Sequence, residues 1–192
     1  MNCARLPLRM LPVLFLSATL WSQGKTAQTP AHEQAPLVPA TKLEAFQPSA
    51  GTVVTFGYDP LGSVGNTTAD VREIQDSKGA TAKGLLVEVS QDEYTKESYF
   101  IDADEIPELL KGIDSLMQVT SNPTQFQNFE VRYTTRGGLQ ITAFNESQTK
   151  ISYAVRAGRG VTAQNFLSAA NMLRLKGLFV TAQQKLASLP AK

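Results

Sequence analysis

Histidine, cysteine and tryptophan occur once each in this 192-residue chain, as His32, Cys3 and Trp21, so nothing beyond position 32 contains any of them. That absence excludes several chemistries from whatever folds after that point. Thiol nucleophiles, Ser-His-Asp triads, histidine bases and zinc sites of the usual ligand types all need residues that are missing there. Disulfide stapling is excluded as well, so a domain in this region must rely on its apolar core. Charge is scarce: Asp, Glu, Lys and Arg make up 18% of the chain, below the usual quarter. Hydrophobic residues, at 42%, suffice for one sizeable core. Long apolar runs are lacking too. The run from Met10 to Trp21, MLPVLFLSATLW, contains Pro12 and has 12 residues, where a membrane-spanning helix needs roughly 20.

That short run follows Arg5 and Arg9 and precedes small and polar residues, which is the layout of a cleaved export signal. The expected signal peptide is 1–24, with cleavage after Gly24, leaving no transmembrane segment in the mature chain. Cys3 precedes the apolar run and is misplaced for lipidation. Residues 25–48 are rich in Pro, Ala, Gln and Thr without any period and read as a flexible tether. The expectation is therefore an exported protein, periplasmic or secreted, from a bacterium. Asn66-Thr67-Thr68 and Asn145-Glu146-Ser147 match the N-glycosylation pattern, which matters only in a eukaryotic secretory route.

The remaining residues, 49–192, predict a single α+β domain. Its clearest stretch is Asn128–Arg156. Phe129, Val131 and Tyr133 alternate with polar residues, a Gly137-Gly138 turn follows, and Leu139, Ile141 and Ala143 continue the alternation. After a polar turn at 145–149, Ile151, Tyr153 and Val155 repeat it, giving a three-stranded antiparallel meander with one apolar face. Upstream, strands are expected at 52–58, 71–75, 84–90 and 97–101, with Asp59–Thr68 as a glycine-containing loop. A helix is expected at 105–119, capped by Asp104, with Pro107 in its first turn. A long terminal helix is expected at 163–189, capped by Thr162 and stopped by Pro190, with a stripe through Phe166, Met172, Leu175, Phe179 and Ala182.

Sliding the chain by 54 positions lays Gly84-Leu85 on Gly138-Leu139, Thr95-Lys96 on Thr149-Lys150 and Ser98-Tyr99 on Ser152-Tyr153. The predicted architecture is thus two consecutive antiparallel sheet-plus-helix units, about 49–122 and 123–192, with internal duplication as one origin. The long C-terminal helix would pack on the meander. Tyr99 and Tyr153 fall on the apolar faces, whereas Phe100 and Phe144 point the other way. This layout has a topological analogy with Whirly-type single-strand binders, but no motif matches them.

Charge separates the two units. Residues 43–130 carry 15 acidic and 5 basic side chains, and residues 131–192 carry 9 basic ones against Glu146 alone. Either the halves neutralise each other, within one molecule or between copies in a homo-oligomer, or the basic half meets an anionic partner. The anion-binding candidates are Arg132, Arg136, Arg156 and Arg159, with glycines around the last two between strand and helix. Asp102, Asp104 and Glu105 form the densest acidic group and are weak metal candidates, since no calcium-loop spacing accompanies them. No cofactor is expected. The function expected is an exported, non-enzymatic binding or interaction protein, with an unknown protein or anionic ligand as partner. A polyanion binder for lipid, glycan or nucleic acid is the first alternative, and export argues against the nucleic acid. A carboxylate-based enzyme is the second.

Overall fold

A computed structural model describes residues 38–46, 50–120, 123–147, 150–157 and 163–190, which belong to one compact unit beginning at Val38. Its elements in chain order are α1 (Lys42–Ala45), β1 (Val54–Val64), β2 (Thr67–Asp76), β3 (Thr81–Ser90), β4 (Lys96–Asp102), α2 (Ile106–Met117), β5 (Glu130–Thr134), β6 (Gln140–Ser147), β7 (Lys150–Ala157), β8 (Ala163–Leu167) and α3 (Ala169–Ser188). The strands form two antiparallel sheets of four, each in sequence order, β1-β2-β3-β4 and β5-β6-β7-β8. The α+β expectation of two sheet-plus-helix units thus describes the molecule, with a fourth strand added to the meander.

The first sheet shows how local chemistry sets strand length. Asp59–Thr68, expected as a loop, is the end of β1 and the start of β2. A bulge between Pro60 and Gly62 absorbs one extra residue, and Gly62 reaches φ 125°, which a side chain would oppose. Pro60 is tolerated because β1 is an edge strand and needs no N–H there. The actual connection is the two-residue turn Gly65-Asn66, with Gly65 at φ 58°.

The second sheet corrects the terminal helix. Ala163, Asn165 and Leu167 are buried while Phe166 is exposed, a period of two that makes 163–167 the strand β8 paired with β7. The helix starts six residues later than expected, with Ser168 rather than Thr162 as N-cap. Thr162 itself lies outside the described residues. From Ala169 the period becomes helical: Met172, Leu175, Phe179 and Ala182 are buried, and the end before Pro190 falls where expected.

The two longer helices each reach beyond the sheet that precedes them. α2 packs on β5 and β6 of the second sheet, and α3 leaves β7 and β8 to run across β1, β2 and β3. Gly112 of α2 lies so close to the Tyr133 ring that a Cβ would collide with it. At the far end of α3, Lys185 pairs with Asp59 at 2.5 Å and the Lys83 ammonium donates to the Pro190 carbonyl at 3.0 Å. One continuous core results, joining Leu85, Val87 and Ile101 from the first sheet to Ile141, Tyr153 and Val155 from the second. Asn165 ties the sheets at their margin, its amide donating to the Val64 carbonyl at 2.8 Å and to the Thr67 hydroxyl at 2.9 Å. The 54-residue shift lays β3 and β4 on β6 and β7, whereas the order of elements in the two units matches β3 with β7.

The described end of the expected tether, residues 38–46, packs on the outer face of the first sheet through α1. Leu43 is buried with Ile74 and Ala82, and Phe46, Val54 and Phe100 pack around them. α1 is the layer over Phe100 that the sequence pattern left unassigned.

Candidate binding groove

The charged residues singled out by the sequence meet mainly one another. Arg136, in the turn after β5, lies 3.8 Å from Asp102, 3.0 Å from Asp104 and 3.3 Å from Glu105. Its backbone N–H donates to Glu105 Oε1 at 2.6 Å. The hydrogen bond from Arg136 holds the Asp104 carboxyl below its ordinary range, and the same bond raises the guanidinium. Asp104, expected to cap α2, is drawn away by Arg136 and Lys42, and Glu105 takes the cap position without a side-chain bond. Asp102 turns the other way. It is 1% exposed and accepts the N–H groups of Lys42 at 2.9 Å and of Leu43 at 3.3 Å. The three carboxylates therefore engage an arginine and the first turn of α1. Among the described residues, no group of three or more His, Cys, Asp or Glu side chains is placed to hold a metal ion.

The other arginines follow the same pattern. Arg132 pairs with Glu130, and Arg156 reaches Glu130 at 3.2 Å. Burial opposes ionisation of Glu130, but the Arg132 bond and the charge of Arg156 outweigh it and lower its pKa. Lys176 of α3 pairs with Asp114 of α2. These contacts, with Arg136 and Lys185, join basic residues after 130 to acidic residues at or before it, so the two charge halves close on each other within one molecule. Arg174 has no carboxylate partner among the described residues. Arg159 lies outside them. The solvent-exposed pairs among these contribute only about 0–1 kcal/mol each, so their main effect is to use up the charge.

The apolar surface is less fully used. On the outer face of the first sheet Phe56 and Tyr58 are 63% and 67% exposed, with the Arg72 guanidinium 5.1 Å from the Tyr58 ring centre. On the outer face of the second sheet there is a groove. Phe144 stands opposite Ser152 of β7, and Phe166 of β8 stands opposite Ala154. Because those β7 side chains are small, the two rings lean together over the strand, meeting edge to face with centres 6.0 Å apart. They wall a groove of about 580 Å³ that ends at the start of α3 and is lined also by the strand positions Ile151 and Leu167, whose side chains belong to the core. Its polar rim is Glu146, Lys150 and Ser152. Lys150 pairs with Glu146 at 2.8 Å, and the Ser152 hydroxyl donates to the same carboxylate at 2.5 Å. These two bonds, that of Lys150 first, lower the Glu146 pKa.

Tyr99 and Tyr153 are buried on the inner faces, as the alternation predicts, and Phe144 points outward as expected. The helical stripe expected through Phe166 conceals its meeting with Phe144. The period of two from Ala163 to Leu167 was the available signal.

No protein-family model matches the chain, and no curated protein is significantly similar to it. Among the described residues no helix is long and apolar enough to cross a membrane.

Proposed function

We propose that this chain is an exported, non-enzymatic binding protein that takes its ligand in the groove between Phe144 and Phe166. The observation that carries this reading is a hollow of about 580 Å³ with aromatic and aliphatic walls and a short polar rim, within the 300–1,000 Å³ range of small-molecule sites. Support for a non-catalytic role comes from the lack of histidine and cysteine after position 32 and from the acidic group around Asp102, whose carboxylates are bonded to Arg136 and α1. The pairing of Arg132, Arg136 and Arg156 weighs against a polyanion surface. Export rests on the signal-like segment 1–24, and Lys25 as the first residue of the recovered protein tests it.

Binding is tested by amide chemical-shift titration with small neutral aromatic compounds such as indole and p-cresol. The largest shifts are expected at Phe144, Ile151, Phe166 and Ala169. Shifts confined to Phe56 and Tyr58 on the other sheet, or none at all, would overturn the assignment.

A further inference from the structure

Building on the groove as a ligand site, we infer that its occupant is a small amphiphile with a carboxylate head and an aliphatic or aromatic body. The walls define the body. Phe144 and Phe166 offer no hydrogen-bonding side chain, so a polar body would be desolvated without compensation. The rim defines the head. Glu146 accepts from both Ser152 and Lys150 through one oxygen, Oε2, so the rim already holds one paired negative charge. Lys150 has three N–H donors, engages one carboxylate, and is 63% exposed.

The remaining wall adds donors of the same sense. Ser168 accepts from the Asn171 N–H through its side chain and from Met172 through its carbonyl. The N–H groups of Ala169 and Ala170, at the start of the helix, have no intrahelical acceptor. The first turn of α3 contains no acidic residue. A carboxylate at the rim thus meets the spare N–H groups of Lys150 and the positive end of α3, beside a Glu146 already paired to that lysine.

Displacement of cis-parinaric acid, a fluorescent long-chain carboxylic acid, from the purified protein tests this. Decanoate, decanol and decyltrimethylammonium are the competitors. Decanoate is expected to compete about ten-fold more tightly than the other two, the effect of one charge-assisted contact. Lys150→Glu should remove that preference, so that decanoate no longer competes more tightly than decanol. Phe166→Asp, at a position 60% exposed, should weaken decanol and decanoate by about ten-fold or more. Equal competition by the three heads would overturn the carboxylate assignment while leaving the groove as a site. Unaltered competition in Phe166→Asp would place the amphiphile elsewhere and overturn both readings. Absence of parinarate binding would overturn the amphiphile, and the neutral-compound titration would then decide separately whether the groove binds anything.

Discussion

Phe179→Ala is expected to cost about 3–5 kcal/mol of folding stability, the range for deleting a buried aromatic ring. Among the described residues Phe179 is the largest fully buried side chain. It lies on the face of α3 that also carries Met172, Leu175 and Ala182, where that helix runs across the first sheet against α2. α3 packs against elements from both halves of the chain, so neither half can collapse alone to close the cavity. A domain of ordinary stability has about 5–15 kcal/mol in all, which makes this loss a large share of the total. Urea unfolding followed by far-ultraviolet circular dichroism measures it. A loss below about 1.5 kcal/mol, the cost of a well-tolerated core change, would mean that α3 does not seal the common core.

The second large effect is expected at Asp102. Asp102→Ala should destabilise the protein by about 3 kcal/mol, within the range for breaking a buried, hydrogen-bonded charge network. The reason lies in α1, which has four residues and is far too short to persist as an isolated helix. Its first-turn N–H groups are all satisfied from outside. The Thr41 side chain takes that of Glu44 at 3.1 Å, and Asp102 takes those of Lys42 and Leu43. Without the carboxylate those two donors lose their partner, Leu43 loses its hold beside Gly84, and Arg136 loses one of its acidic neighbours. Hydrogen exchange should locate the damage: the amides of Lys42 and Leu43 are expected to lose protection in the variant before those of β3 and β4. Retained protection there would show that apolar contact alone holds α1.

The parts of the fold legible in the sequence were those with one dominant period. The hairpin around Gly137-Gly138 and the face of Ile106, Leu109, Ile113 and Leu116 on α2 could be read because burial on one side sets the pattern. The region 163–167 was misread because Phe166, Ala169, Ala170 and Met172 also fit a helical stripe. Only pairing to β7 decides for a strand, and pairing is a tertiary fact. The expected cap at Asp104 failed for a related reason, since an arginine 32 residues away outbids the local helix end. α1 was hidden within a proline-rich composition, and its stability comes from Asp102, 59 and 60 residues downstream of its partners. For the candidate site, the outward direction of Phe144 was readable and its ring partner was not. The opposite charges of the two halves were plain in the sequence, and their mutual pairing required the turn after β5 to lie beside the start of α2.

That mutual pairing, which leaves the apolar groove rather than the arginines for a partner, is tested most directly by eluting the purified protein from heparin as salt is raised. With Arg132, Arg136 and Arg156 already paired to Glu130 and the Asp102 group, the protein should elute below physiological ionic strength, about 0.15 M. Retention well beyond that salt, by a chain of formal net charge +1, would show a coherent basic face open to polyanions and would contradict the account.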